Sequence, residues 1–210
     1  MKPSLTFWYD LASTYSWLAA ERIETLAAQS GVAITWRPFL LGPIFAAQGW
    51  TSSPFNLFPA KGRNMWRDME RQCARMGLPA IVQPDPFPQN SLLAARLATA
   101  LPAHACVHFS RAVFRAQFVH GRSITDREVL ASILDEIGAS RMSLAAADAT
   151  ETKGALRRMT DQAQAHGIYG APSFTTGSGE LFWGNDRLED ALEWARSEAA
   201  GSWETGFPSD

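Results

Sequence analysis

Hydrophobic and polar residues alternate with the period of a β-strand near both ends of the chain, and they follow a helical period through most of the middle. Near the N-terminus, the alternation over residues 4–9 predicts a strand, and the apolar stripe over 13–29 predicts an amphipathic helix. After Gly31, the run "VAITWRPFL" predicts a second strand. A strand, a helix and a strand in so short a span are typical of a βαβ unit.

The middle of the chain begins with a loop rich in Gly, Pro and Ser, "GPIFAAQGWTSSPFNLFPAKG". The periodicity beyond this loop predicts helices over 61–76, 89–101, 105–120, 125–137, 140–147 and 151–166. Near the C-terminus, "APSFTT", a "GSG" turn and "ELFWG" predict a β-hairpin, and the pattern over 186–199 predicts a helix after it.

This order of elements predicts an α/β protein with a thioredoxin-like fold that a large all-helical insertion interrupts. The thioredoxin-like part would comprise residues 1–42 and 167–200, and the insertion would comprise residues 43–166. Residues 201–210 would form a loosely ordered tail.

Composition narrows the classes of function. The chain has 210 residues, 46% of them hydrophobic, and a formal net charge of -2, which gives no electrostatic basis for binding nucleic acid or an anionic membrane. No apolar run approaches the ~20 residues of a membrane span. The N-terminal "MKPSLTFWYD" lacks the pattern of a signal peptide, so we expect a cytoplasmic protein.

Cysteine and histidine usage argues against redox and metal chemistry. Cys73 and Cys106 are the only cysteines, and they form no Cys-x-x-Cys pair. The four histidines lack compact metal-ligand spacing except for His104 and His108, which have no acidic or cysteine ligand nearby. We therefore expect no metal site.

Several motifs together resemble one family. The stretches are "FWYDLASTYSWLA", "PFNLFPAKGRNMWRDMER", "FPQNSLLAARLA", "GIYGAPSF" and "LFWGNDRLEDAL", spread from residue 7 to residue 192. They resemble the 2-hydroxychromene-2-carboxylate isomerases, which with the kappa-class glutathione transferases form a DsbA-like branch of the thioredoxin fold. The resemblance implies glutathione as cofactor, a small aromatic hydroxy acid or enone as substrate, and a homodimer.

Two serines, Ser13 and Ser16, lie at the start of the first predicted helix. Ser13 is a favoured N-cap residue, and capping alone would explain one hydroxyl there. Thioredoxin-type enzymes place two cysteines at these positions, where the helix dipole stabilises a thiolate. Serine at both leaves a hydroxyl and backbone amides suited to an external thiol, and the resemblance implies that Ser13 hydrogen-bonds the glutathione sulfur. We interpret Ser16 as structural.

Pro172 opens the first strand of the predicted hairpin, which an ordinary proline can do without any function. In thioredoxin-like proteins the residue before this proline lies opposite the first helix and pairs with a bound peptide through its backbone. The resemblance therefore implies that Ala171 pairs with the cysteinyl part of glutathione. The sequence leaves the isomer of the Ala171–Pro172 bond open.

Asn185 and Asp186 begin the last predicted helix, and either is a plausible N-cap. Capping is the alternative to the role that the resemblance implies, which we assign to both residues: they bind the γ-glutamyl group of glutathione, with the Asp186 carboxylate holding its α-ammonium.

Lys61 is a lone lysine, a residue that is usually solvated surface. The resemblance implies that its ammonium pairs with the glycine carboxylate of glutathione. Kappa-class relatives carry an asparagine soon after the position of Gly49, where this chain has Trp50 and Thr51, so Asn56 is our candidate for that contact. The aromatic side chains nearby are candidates for walling an apolar substrate pocket: Phe45, Trp50, Phe55, Phe58 and Trp66.

Together these features predict a glutathione-dependent isomerase that interconverts 2-hydroxychromene-2-carboxylate and trans-o-hydroxybenzylidenepyruvate, or acts on a related aromatic catabolite. Two alternatives stay open. One is a kappa-like glutathione transferase or peroxidase, which would consume glutathione. The other is a non-catalytic glutathione-binding module, which would turn nothing over.

Overall fold

The structure, a computed structural model, describes residues 2–202. Four strands form one mixed sheet in the order β2-β1-β3-β4. The strands are β1 (Ser4–Tyr9), β2 (Ala33–Pro38), β3 (Ser173–Thr176) and β4 (Leu181–Trp183). β1 pairs in parallel with β2 and antiparallel with β3, and β3 pairs antiparallel with β4. This arrangement, with the helices that surround it, is a thioredoxin-like fold with a helical insertion, as predicted.

Ten α-helices occur within residues 2–202, and most of them match the predicted spans. They are α1 (Thr14–Ser30), α2 (Leu41–Ala47), α3 (Pro54–Leu57), α4 (Pro59–Met76), α5 (Leu92–Ala100), α6 (Ala103–Phe118), α7 (Arg127–Glu136), α8 (Ser143–Ala146), α9 (Thr150–Ala165) and α10 (Leu188–Ala200). Of the predicted tail, residues 203–210 lie outside the described residues.

The prediction of a single loop between β2 and the helix near residue 61 was wrong. The chain there forms α2 and α3, and α4 begins at Pro59. Pro54 and Pro59 each occupy the first turn of a helix, where a missing N–H costs no hydrogen bond. The hydroxyl of Ser53 accepts a hydrogen bond from the Phe55 amide at 3.3 Å and so caps α3. The prolines mark helix starts here, not a loop.

The alternation along β1 divides the core between the two faces of the sheet. Leu5, Phe7 and Tyr9 belong to the larger cluster, which α1, α6 and α10 cover. Trp8 points to the other face and packs in a smaller cluster with Ala163 of α9. The C-terminal end of β1 is therefore packed on both faces of the sheet, which holds the first residue of the following turn in place.

Glu21 of α1 ties this helix to the insertion. Its carboxylate accepts two hydrogen bonds from the Arg115 guanidinium of α6, both at 2.7 Å, and one from the Trp17 indole at 3.1 Å. Burial by itself raises the pKa of Glu21, but the bonds and charge of Arg115, with Trp17 and Arg111, hold it below its ordinary value. The pair fixes the rotation of α1 against α6.

Candidate active site

Ser13 is the N-cap of α1, with an extended backbone conformation. Its hydroxyl oxygen accepts a hydrogen bond from the Ser16 amide at 3.2 Å, and its hydroxyl proton is donated to the carbonyl oxygen of Ala171 at 3.1 Å. The capping prediction is confirmed, and the same hydroxyl also reaches a loop 158 residues away in sequence. The amides of Thr14 and Tyr15, the first two of the helix, have no intrahelical acceptor.

The Ala171–Pro172 peptide bond is cis, and the loop that contains it faces the start of α1. The carbonyl oxygen of Pro172 accepts a hydrogen bond from the Gly184 amide at 3.0 Å. The turn after β4 is thereby held against the cis-proline loop. Three segments distant in sequence meet at this point: the start of α1, the loop at Ala171 and the turn at Gly184.

Asn185 and Asp186 lie in a short 3-10 helix, Asn185–Arg187, that precedes α10. Neither side chain caps this turn or α10, so the capping alternative does not hold for either residue. The reason is that the 3-10 turn moves the helix start to Leu188, with Arg187 in the cap position. Gly184, at a φ of 113°, supplies the backbone conformation that allows this turn.

The side chains of Asn185 and Asp186 differ in their exposure to solvent. Asn185 is buried, and its Oδ1 atom has no hydrogen-bond partner among the described residues. The Asp186 carboxylate is 76% exposed, and its ion pair with Arg187 spans 3.7 Å. One unpaired buried acceptor and one solvent-facing carboxylate thus stand side by side, next to the cis-proline loop.

A second carboxylate faces the same area from α4. The Tyr15 hydroxyl donates a hydrogen bond to Asp68 Oδ2 at 2.9 Å. Burial raises the pKa of Tyr15 well above its ordinary value, the bond to Asp68 and its charge raise it further, and the charge of Asp186 adds to the effect. Tyr15 therefore remains a protonated donor between two acidic side chains, an environment that favours a cation.

The turn between β1 and α1 rests on a buried carboxylate, Asp10. Its Oδ1 accepts hydrogen bonds from the Ala12 amide and the Ser91 hydroxyl, both at 2.8 Å, and its Oδ2 accepts one from the Leu41 amide at 2.8 Å. Its backbone carbonyl accepts from the Ser13 amide at 2.9 Å. Burial raises the pKa of Asp10, and the three donors reduce that rise.

Lys61 and Asn56 are not bonded to the residues around Ser13. The Lys61 ammonium lies over the Phe58 ring, 4.7 Å from its centroid, and the Asn56 amide donates to the Phe87 carbonyl oxygen at 2.9 Å. Lys61 precedes Asp68 by seven residues on α4, so the two share a helix face and are separated by about 10 Å along the axis. That face is the one that meets Tyr15.

The five aromatic residues predicted to wall one apolar pocket make different contacts. Phe55 and Trp66 line a groove of about 660 Å³, whose other walls include Arg63, Gln83 and Asp85. Phe45 and Trp50 pack on each other with ring centroids 5.6 Å apart, and Phe58 lies beneath Lys61. That all five wall one apolar pocket stays a prediction. The groove residues of α4 also occupy a different helix face from Lys61 and Asp68.

Both cysteines are buried free thiols. Burial raises the pKa of Cys73 and of Cys106, so each favours the protonated form. Within residues 2–202, no group of three or more His, Cys, Asp or Glu side chains is arranged to hold a metal ion. Across the same residues, no helix combines the length and apolar character needed to cross a membrane.

Sequence reasoning missed three residues of this site: Asp10, Tyr15 and Asp68. Asp68 lies in "MWRDMERQCAR", whose pattern predicts a charged helix face over a stripe of Met and Trp; of that stripe, Met65 and Met69 are buried and Trp66 is partly buried. Its bond to Tyr15 depends on how α4 docks against α1. The position of Asp10, directly after a strand and before a helix, was the one signal available.

Comparison with known proteins agrees with this architecture. Residues 4–193 match the family of DSBA-like thioredoxin domains. The chain is 27% identical over 194 residues to the 2-hydroxychromene-2-carboxylate isomerase of Sphingobium xenophagum, covering 90% of this chain and 96% of the relative. It is 23% identical over 204 residues to glutathione S-transferase kappa 2 of Caenorhabditis elegans, covering 89% of each.

Solved structures show the same fold. A 2-hydroxychromene-2-carboxylate isomerase superposes with a TM-score of 0.83 at 22% identity, covering 96% of this chain and 100% of the other. The cytosolic disulfide reductase DsbM from Pseudomonas aeruginosa, with GSH, superposes with a TM-score of 0.61 at 16% identity, covering 94% and 98%. The predicted resemblance is thus confirmed, and because the family match spans nearly the whole chain, the protein belongs to the family of DSBA-like thioredoxin domains.

Proposed function

We propose that this protein is a glutathione-dependent isomerase that interconverts 2-hydroxychromene-2-carboxylate and trans-o-hydroxybenzylidenepyruvate, or acts on a related aromatic catabolite. The observation that carries the proposal is the Ser13 hydroxyl, which caps α1 and reaches Ala171 beside the cis-proline. Serine at positions 13 and 16 excludes a protein disulfide there, and the helix start remains suited to an external thiolate.

The residues present fit glutathione. The buried Asn185 Oδ1 lacks a partner within residues 2–202, and Asp186 and Asp68 both lie near the Tyr15 hydroxyl, an environment suited to the α-ammonium of a γ-glutamyl group. Lys61 lies about 10 Å from Asp68 along α4, which is close to the reach of three extended residues. We assign Lys61 to the glycine carboxylate, Ala171 and Pro172 to the cysteinyl backbone, and Asn56 to a supporting contact near the glycine end.

When bound, glutathione supplies a thiolate that can add reversibly to a conjugated enone and so turn a double bond into a rotatable single bond. Ser13 has one hydroxyl proton, which the Ala171 carbonyl accepts in this structure. To stabilise a sulfur anion, the hydroxyl rotates toward the sulfur while its oxygen keeps the Ser16 amide. The unpaired amides of Thr14 and Tyr15 add the positive end of the helix dipole.

A thermal-shift titration tests the cofactor assignment. Reduced glutathione should raise Tm by an amount that grows with the logarithm of its concentration, as linkage requires for a ligand of the folded state. The matched control is γ-glutamylcysteine, which lacks the glycine carboxylate and should give a smaller shift. No shift at millimolar glutathione would remove glutathione from the proposal.

The proposed isomerase and the alternative functions differ in whether the reaction consumes glutathione. An isomerase returns it unchanged, whereas a kappa-like transferase or peroxidase converts it to a conjugate or disulfide. Glutathione measured before and after many turnovers of the chromene substrate separates the two. Binding without turnover of any chromene or electrophile would favour the non-catalytic module. As further parts of the proposal, the protein is cytoplasmic and forms a homodimer.

A further inference from the structure

Two exposed aromatic side chains, Tyr169 and Trp183, contact each other with ring centroids 4.9 Å apart. Tyr169 is 48% exposed and Trp183 is 51% exposed. Among residues 2–202, the other exposed large hydrophobic residues are Leu57, Phe58, Val82 and Met142, and Phe58 is the one other aromatic among them. Within residues 2–202, the two rings are therefore the one pair of exposed aromatic side chains in contact with each other.

This aromatic pair lies between the two loops that carry the candidate site. Trp183 ends β4, pairs in register with Ser173 and directly precedes Gly184. Tyr169 stands two residues before Ala171, whose carbonyl accepts the Ser13 hydroxyl. The surface is thus connected on one side to the turn at Asn185 and on the other to the cis-proline loop.

The indole of Trp183 packs directly on the backbone of Gly170. A side chain at position 170 would overlap the indole nitrogen, which explains the glycine at that position on steric grounds. Phe182, the preceding residue, points to the opposite face of the sheet and packs on Trp194 of α10 with centroids 5.9 Å apart. Trp183 is therefore fixed on the face away from α10, in contact with the loop that bonds Ser13.

We propose that Tyr169 and Trp183 form an aromatic platform that stacks against the aromatic ring of the substrate beside the thiol site. The inference rests on the proposed function, because it takes the glutathione sulfur to lie at Ser13. The groove lined by Phe55 and Trp66 is a poorer candidate, since it opens on another face of α4 and has Arg63 and Asp85 in its walls. A planar conjugated ring on two half-exposed rings buries apolar surface on both sides.

Two glutathione conjugates test the platform without requiring turnover. S-methylglutathione and S-benzylglutathione share the tripeptide and differ by one aromatic ring, so their affinity ratio isolates the contribution of the ring. By isothermal calorimetry, the wild-type protein should bind the benzyl conjugate more tightly. Trp183→Leu should reduce that ratio by about two- to tenfold, the usual size of an aromatic pair, and leave S-methylglutathione binding nearly unchanged.

Two further variants complete the design. Tyr169→Leu should reduce the same ratio independently, which covers the case in which Trp183→Leu fails to fold. Met142→Ala removes an 81% exposed side chain from another part of the molecule and should leave the ratio as in wild type. Using a ratio within one protein sample also cancels any loss of folded protein.

The outcomes separate the two proposals. If neither conjugate binds the wild-type protein, the glutathione assignment fails and the platform fails with it. If both bind and the ratio is the same in wild type, Trp183→Leu and Tyr169→Leu, glutathione stands and the platform is wrong. The two rings would then serve to cover Gly170 at the edge of the sheet.

Discussion

The Ser13 hydroxyl and the Ala171 carbonyl oxygen, 3.1 Å apart, join the start of α1 to the loop that contains the cis-proline. A hydroxyl has a single proton to donate, so this bond and a bond to a ligand sulfur exclude each other. Ligand binding at this position therefore exchanges one hydrogen bond of the protein for another.

Ser13→Ala should raise the pKa of the bound glutathione thiol toward ~8.5 and lower the isomerase rate at neutral pH much more than it lowers glutathione affinity. The tripeptide contacts survive the change, but the donor to the sulfur does not. Thiolate absorbance in the ultraviolet, titrated with pH, reports the pKa directly. Ser16→Ala is the control, because the buried Ser16 hydroxyl has no partner among the described residues. Equal thiol pKa values in wild type and Ser13→Ala would leave Ser13 as a helix cap alone.

Asp186→Asn should weaken glutathione binding by roughly three- to tenfold, at the low end for a charged contact because this carboxylate is largely exposed. Helix stability should not change, since the Asp186 side chain caps neither the 3-10 turn nor α10. Asp190→Asn is a matched control, because Asp190 is also exposed and also pairs with Arg187. Calorimetric titration with glutathione should show a loss for the first variant and not for the second.

Asp10→Asn should destabilise the protein by roughly 1–3 kcal/mol, because the two carboxyl oxygens of Asp10 accept the Ala12 and Leu41 N–H groups and an amide nitrogen cannot accept either of them. Burial raises the pKa of Asp10, so the folded state holds this proton more tightly than the unfolded state does. The wild-type advantage is therefore complete below the ordinary pKa of 3.8 and shrinks as the pH rises through the raised value. Urea unfolding of both proteins across that range measures it, and an advantage that grows with pH would contradict the assignment.

Glu21→Gln should lower the free energy of unfolding by about 1 kcal/mol at pH 7, a discounted figure because Arg115 is half-exposed. The pKa of Glu21 is held below its ordinary 4.5, so the wild-type advantage is present above pH 4.5 and is lost as the pH falls through the lowered value. Asp135→Asn, in an exposed pair with Arg141, should change stability little at any pH. Thermal melts of the three proteins at several pH values compare the two pairs.

The sequence could predict the local elements and the residues that family motifs mark. The strands, α1 and the long helices follow from periodicity because each buries one face, and Ser13 was found at the start of a helix where capping chemistry is expected. The short helix α3 was missed because a proline at a helix start looks like a proline in a loop.

The rest of the site depends on docking between distant segments. The Tyr15–Asp68 bond spans 53 residues, and the bond from Ser91 to Asp10 spans 81. No local pattern encodes such pairs, because each partner alone fits an ordinary surface or loop position. The late start of α10 has a local cause instead: a 3-10 turn over Asn185–Arg187 moves the helix start to Leu188, two residues after the predicted start at 186.

The carboxylate of Asp10 has a consequence for how chains of this kind can diverge. It bonds the turn that carries Ser13, the start of α2 and the start of α5, so segments on both sides of the predicted insertion boundary share one buried carboxyl group. Recombination that replaced residues 43–166 with the helices of a relative would need a donor at position 91 to keep the hydrogen bond that Asp10 accepts from Ser91. The helical part is thus not a freely exchangeable module. A mutation in it that removes the Ser91 hydroxyl would also change the hydrogen bonding of the turn that carries Ser13.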